Sequence, residues 1–228
     1  MIGHEHGDDG HAVELDPAPL GAAGLWDETY RSRPQLWSGR PNPQLVAETA
    51  GLAPGRALDL GCGEGADALW LAQQGWTVTA LDVSAVALER AAAHAAASEY
   101  GRRISWLRED LRSWQPGEQF ELVSAQYLHS TALPWRVSLG VAASAVRAGG
   151  TLLIVGHHPD RLPPWGSHAH AETAMFYTPE QLVSGLGIAG PLWRLDVAAS
   201  RERRAASPDG QTAVLADSVL RATRLLPD

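Results

Sequence analysis

The sequence predicts an α/β fold, an open sheet of strand–helix units whose last strand runs antiparallel. Three observations carry that expectation. Short apolar runs of strand character alternate with helical runs from Arg56 to Gly156, the order that builds a parallel sheet. The first strand, Arg56-Ala-Leu-Asp59-Leu60, breaks into Gly61, Gly63 and Gly65 and re-enters a helical run from Ala66 to Gln74. At the C-terminus two strand-like runs face each other across the polar turn Ser207-Pro-Asp-Gly210, which reads as a hairpin.

The chain of 228 residues is 45% hydrophobic and holds nine tryptophans, enough to bury one good core. Its formal net charge of -8 is spread out, so no basic footprint for nucleic acid or an anionic membrane exists. A single cysteine, Cys62, excludes a disulfide framework and fits a reducing compartment. No apolar run has the length of a membrane span, and the N-terminus lacks a basic-then-apolar signal pattern. These observations predict a soluble cytoplasmic protein.

Residues 1–24 are rich in Gly, His, Asp and Pro and show no apolar periodicity, which predicts a flexible tail. Residues 25–228 then form a single domain, with cap helices at 25–51. Within the cap, Trp26, Tyr30 and Trp37 precede the turn Gly39-Arg-Pro-Asn-Pro43, and a helix follows over Gln44 to Ala50. Past the first strand–loop–helix unit, Thr77-Val-Thr-Ala-Leu81 is a second strand ending in Asp82. Ser84 caps an alanine-rich helix reaching Ser98. Ile104 to Asp110 reads as the third strand and Phe120 to Tyr127 as the fourth, with Leu128-His129-Ser130 just beyond its end. A helix over Pro134 to Val146 leads to a fifth strand, Thr151 to Gly156. Thr178-Pro179 opens a later helix, and Trp193 to Val197 and Val214 to Leu225 supply the closing strands.

A strand that breaks into glycines before a helix makes a pocket for a ligand that approaches the main chain. Gly61, Gly63 and Ala66 satisfy the relaxed dinucleotide pattern G-x-G-x-x-G/A, a pattern with little specificity alone. Asp59 argues against a dinucleotide, because a carboxylate beside the loop repels a pyrophosphate and favours an ammonium or sulfonium. Asp82 ends the next strand, where a carboxylate can grip ribose hydroxyls. The run Asp59-Leu-Gly-Cys-Gly-Glu-Gly65, continued through Asp82 and Asp110, resembles the first motifs of the class I S-adenosylmethionine-dependent methyltransferases. The aromatic cap is similar to that of their thiopurine- and tellurite-methyltransferase-like branch.

The resemblance implies a Rossmann-like seven-stranded methyltransferase sheet with an antiparallel last strand and an N-terminal helical cap. It implies S-adenosylmethionine as cofactor, and contacts to it from Trp37, Asp59, Gly61, Cys62, Gly63, Asp82, Val83, Asp110, Leu111 and Gln126. Trp37 either faces the sulfonium through a cation–π contact or plugs the cap onto the core. Cys62 reads as a small filler of the loop.

Methyl transfer requires a positioned nucleophile and, where that atom carries a proton, a base. His129, past the fourth strand, is the candidate base, with a hydrogen-bonded packing role as the competing reading. Tyr127 is a second candidate and otherwise packs against cofactor or substrate. His157, His158, His168 and His170 cluster after the fifth strand as substrate contacts, metal ligands or a solvated loop. No metal is assigned to them or to His4, His6 and His11, since neither set has a fixed ligand spacing. The expected function is methyl transfer to a small molecule by a monomer or homodimer, without nucleic acid or membrane. The alternatives are a nicotinamide-dependent oxidoreductase and a non-catalytic S-adenosylmethionine binder.

Overall fold

The computed structural model describes residues 21–165, 173–207 and 210–226. The tail expected over residues 1–24 therefore lies outside the described residues up to residue 20, as do His168, His170 and the N-terminal histidines. Helix α1 spans Gly21–Arg31 and so begins inside the stretch read as tail. It buries Tyr30 and Asp27. Helix α2 covers Pro43–Thr49; Asn42 caps it by accepting the Gln44 N–H, and the proline at its first position has no N–H to lose.

The sheet follows. Strand β1 is Arg56–Leu60, α3 is Ala66–Gln73, β2 is Thr77–Asp82 and α4 is Ala85–Ala96. Strand β3 is Ile104–Arg108, β4 is Phe120–Gln126, α5 is Trp135–Ala145 and β5 is Val146–His157. Helix α6 is Pro179–Gly185, β6 is Trp193–Ala206 and β7 is Thr212–Arg224. The seven strands lie in the order β3-β2-β1-β4-β5-β7-β6, with β7 antiparallel to both neighbours. The expected seven-stranded sheet with an antiparallel last strand is therefore the observed one.

Two departures from the expected bounds have local causes. Strand β5 starts five residues early because Val146 pairs with Phe120, and the chain then bulges before Thr151 pairs with Leu122. Strand β3 stops at Arg108, because Asp110 turns away to accept the Arg112 N–H.

Two apolar layers sandwich the sheet. On one face Leu45 of α2, Leu71 and Ala72 of α3 and Ala95 of α4 pack on Ala57, Val78, Leu122 and Val155. On the other, Leu139 and Ala142 of α5 and Leu182 of α6 pack on Leu58, Val123, Leu152 and Ile154. Each fully buried leucine contributes about 1.5–3 kcal/mol. Consecutive strands pair outward on both sides of β1 and β4, so the chain reverses direction between them. That switch point opens the crevice where open α/β sheets bind ligands.

Candidate active site

The glycine loop sits at the switch point. Gly61, Gly63 and Gly65 all have left-handed backbones, with φ of 70°, 53° and 82°. All three are also places where a side chain has no room. A Cβ on Gly61 would stand 2.6 Å from Leu128 Cδ1, one on Gly63 2.8 Å from the Tyr30 hydroxyl, and one on Gly65 2.7 Å from the Trp106 ring. The loop is pinned by its own amides: Gly61 and Cys62 N–H donate to Leu81 C=O at 2.8 and 3.0 Å, and Gly63 N–H donates to Asp82 Oδ2 at 2.9 Å.

Three carboxylates surround this loop, and none forms an ion pair among the described residues. Asp59 is 2% exposed, and its Oδ2 is buried without a hydrogen-bond partner. Burial, with the nearby charges of Asp67 and Asp82, pushes its carboxyl well above the usual range. Burial pushes Asp67 up to about 6, although its Oδ1 accepts the Asn42 N–H at 2.6 Å. Asp82 is raised too, chiefly by burial, while the Ser84 and Gly63 amides pull it down. Two buried acids, the half-buried Asp67 beside them and an orphaned oxygen form a site short of a cation. An ammonium and a sulfonium supply that charge, and a glycine cradle that a Cβ would fill admits the rest. These residues fit S-adenosylmethionine.

The remaining expected contacts divide. Gln126 accepts the Asn42 amide N–H at 2.9 Å and donates to Ser124 Oγ at 3.0 Å, which joins it to Asn42 and Asp67 on the same rim. Trp37 is 52% exposed; its indole N–H donates to the Tyr30 hydroxyl at 3.0 Å, directly over Gly63. Cys62 packs against the α2–α3 apolar layer with its thiol raised by burial, as a filler does. Val83 follows Asp82 and its C=O accepts from Arg108 Nε at 3.4 Å. Leu111 is buried, but the Asp110 side chain is turned to Arg112 at 2.6 Å. In this structure Asp110 is committed to the surface pair.

His129 departs from the role of a free base. Its Nε2 accepts the His157 N–H at 3.0 Å, and its Nδ1 lies 3.1 Å from Met175 C=O. With Nδ1–H donating and Nε2 accepting, both nitrogens are engaged by backbone, the arrangement of a hydrogen-bonded packing histidine. Tyr127 has φ of 51°, a left-handed conformation rare outside glycine. Its ring packs 4.6 Å from that of His157 rather than over the glycine loop.

Sequence reasoning missed the group that closes the site. Glu64 accepts the N–H groups of Leu36 and Trp37 at 3.2 and 3.0 Å and pairs with Arg90 at 2.9 Å. Arg90 in turn donates to the carbonyls of Tyr30 and Arg33. Asn42, Asp67 and Tyr30 were likewise visible only as loop, helix and cap residues. The one available signal was Glu64 itself, an acid inside a glycine loop without a cation nearby in sequence.

Surface clefts of about 420 and 440 Å³ lie elsewhere, the first beside Leu107 and Trp114, the second beside Val46 and Trp70. Neither borders the glycine loop, which the cap residues Tyr30 and Trp37 and Leu128, just past β4, cover. Among the described residues no group of three or more potential metal ligands occurs, and no helix is long and apolar enough to cross a membrane.

Comparison with known proteins places this geometry. Residues 57–150 match the family model described as a methyltransferase domain. A probable thiol methyltransferase 2 of Arabidopsis thaliana is 33% identical over 105 residues, covering 45% of this chain and 46% of the relative. Thiocyanate methyltransferase 1 of Brassica oleracea is 34% identical over 103 residues, covering 44% and 46%. The match therefore spans a little under half the length of these curated relatives. Among solved structures, one from work on conversion of a disulfide bond into a thioacetal group during echinomycin biosynthesis is 25% identical. It has a TM-score of 0.64 and covers 90% of this chain and 93% of its own. TehB from Haemophilus influenzae, 16% identical, shares the fold at a TM-score of 0.64 over 87% of this chain and 66% of its own. Residues 57–150 of the chain thus form a methyltransferase domain, carried on the seven-stranded fold that these solved structures share.

Proposed function

We propose that this chain transfers a methyl group from S-adenosylmethionine to a small molecule, with sulfur as the favoured acceptor atom. The orphaned carboxylate oxygen of Asp59 carries the reading, because it has a place for one cation and no group among the described residues fills it. Asp59 and Asp67 hold the cofactor's ammonium. Asp82 offers its remaining lone pairs to the ribose hydroxyls. A carboxylate has about four acceptor sites, and the Gly63 and Ser84 amides use two of them. Trp37 presents its ring to the sulfonium side from the cap. Leu111 contributes backbone or apolar contact on the adenine side, and Asp110 joins it there only by leaving Arg112.

The bound cofactor supplies a methyl group already activated on a positive sulfur. The protein's work is then to orient an acceptor in line with it and to exclude water, which the closed cap does. The names of the thiol and thiocyanate methyltransferases support sulfur as the acceptor. Residues 25–228 serve as one catalytic unit with 25–51 as its cap, and a cytoplasmic monomer or homodimer is the matching assembly.

Calorimetry with S-adenosylhomocysteine and with NAD tests the cofactor. Micromolar binding of the first and none of the second is the expected result; the reverse would restore the oxidoreductase reading. Turnover of a thiol, phenol and amine panel then separates an enzyme from a silent binder.

A further inference from the structure

A second cluster of polar side chains lies where the ends of β4, β5 and β7 meet. His157 ends β5 and lies directly opposite Asp217 of β7 in the sheet register. Its Nδ1 stands 4.0 Å from Asp217 Oδ1. Asp217 is 1% exposed and takes Arg203 Nε on both oxygens at 3.0 Å. The His157 ring packs on Tyr127 at 4.6 Å and stacks on His129 at 5.5 Å. Tyr127 is the left-handed residue at the end of β4, and its neighbour Leu128 touches Gly61 of the cofactor loop. Such a backbone costs of order 1–3 kcal/mol and persists where its surroundings over-determine it. Here it sends the Tyr127 ring to His157 and Arg203, whose guanidinium lies 5.8 Å from the ring centre.

We propose that His157 takes the proton of a thiol acceptor and that Asp217 is its positioning residue; this rests on the methyl-transfer reading above. The thiolate, not the thiol, is the nucleophile, and an alkyl thiol is mostly protonated at neutral pH. The proton leaves the acceptor sulfur for His157 Nε2, since Nδ1 faces Asp217. The sulfur lone pair forms the new S–CH3 bond as the cofactor's C–S bond breaks, and the sulfonium electrons return to S-adenosylhomocysteine. The imidazolium then gives its proton to solvent as product departs. Among the described residues, the titratable and charged groups facing His157 are Tyr127 and His129 from the end of β4 and the loop after it, Asp217 from β7 and, through Asp217, Arg203 from β6, while Phe176 packs edge-on at 6.2 Å. Arg203 offsets part of the Asp217 charge, so the help to the imidazolium is moderate. Pinning three strands together explains the Asp217–Arg203 pair alone, but not the placement of an imidazole and a strained tyrosine against it.

The test uses the full chain, with 2-mercaptoethanol and thiocyanate as acceptors. Thiocyanate is already an anion and has no proton to lose. His157→Gln should lower turnover of the thiol about 100-fold or more below its titration, the usual worth of a base, while thiocyanate turnover stays within about threefold. S-adenosylhomocysteine affinity should not change, which also reports that the variant is folded. In the cofactor-free protein, Asp217→Asn should lower the His157 imidazole pKa measured by NMR by about one unit. That readout also decides the matter if His157→Gln does not fold. Equal losses on both acceptors, no loss on either, or an unmoved His157 titration would overturn the proposal. Absence of S-adenosylhomocysteine binding by the wild type would instead overturn the methyl-transfer reading beneath it.

Discussion

Glu64 accepts the backbone N–H of Trp37 at 3.0 Å, so a residue of the cofactor loop holds the aromatic cap in place. The same carboxylate takes the Leu36 amide and Arg90, and its side chain is only 4% exposed. Loop and cap are thus one mechanical unit. A ligand entering over Gly63 must displace the Tyr30–Trp37 pair that this carboxylate positions.

Glu64→Ala should cost about 1–3 kcal/mol, because it leaves two backbone donors and a guanidinium without their acceptor. For a chain of this size that is a fall in melting temperature of several degrees. Burial raises the Glu64 carboxyl, but the Trp37 amide, Arg90 and the Leu36 amide outweigh it, so its value lies below the ordinary one. A depressed acid contributes stability above its unfolded value, about 4.3, and loses it as pH falls through the folded value. The melting-temperature gap between wild type and Glu64→Ala should therefore narrow below about pH 4. A gap that stays constant with pH would show that the charge of Glu64 is irrelevant to the cap.

Asp82→Ala should weaken S-adenosylhomocysteine binding by about 2–3 kcal/mol, the worth of hydrogen bonds to a charged group. The fold does not stay untouched, since Asp82 also anchors the Gly63 and Ser84 amides at 2.9 Å each. Asp82→Ala should accordingly melt lower than wild type even without ligand. An unchanged dissociation constant in calorimetry would remove Asp82 from the cofactor site.

Proton traffic accompanies binding. Asp59 and Asp67 have raised carboxyls, so the folded protein binds protons that the unfolded chain has lost, and its unliganded stability declines as pH rises from about 4. An ammonium placed between them reverses the shift. At pH 6, where Asp67 is about half protonated, S-adenosylhomocysteine should release protons on binding. Calorimetry in two buffers of different ionisation enthalpy reads this directly. Identical heats in both buffers would contradict a cation at Asp59 and Asp67.

Most of the sheet was readable because its signals are local. Asp59 to Gly65 marks the strand–loop–helix unit by composition, and Thr178-Pro179 marks a capped helix that the structure closes with Gln181. The site's second layer was not local. The bond from Glu64 to Trp37 spans 27 positions, that from Asn42 to Gln126 spans 84, and Asp217 meets His157 only through strand pairing. No periodicity encodes such contacts, because each joins distant stretches of the chain that only the topology brings together. The orientation of Asp110 was hidden for a different reason: Arg112, two residues away, competes with the site for its carboxylate.

His129 is where sequence and geometry part, and its substitution decides between them. Its position past β4 argues for a base, while both ring nitrogens are held by the His157 N–H and the Met175 carbonyl. Glutamine can reproduce one acceptor and one donor in roughly that arrangement. If the ring is a brace, His129→Gln should keep turnover within about tenfold and leave the pH profile unmoved. Leucine cannot bond to either group, so His129→Leu strands a buried donor and a buried acceptor, at about 1–3 kcal/mol each. Its melting temperature should fall well below that of the glutamine variant, and turnover should drop with it at every pH alike. A general base behaves otherwise: glutamine removes it as completely as leucine, lowers turnover by about 10²–10⁴-fold, and flattens the pH profile near the imidazole titration. Comparing the two variants across pH, with melting curves alongside, thus separates loss of a brace from loss of a base. A glutamine variant as slow as the leucine one, yet as stable as wild type, would return His129 to the reaction.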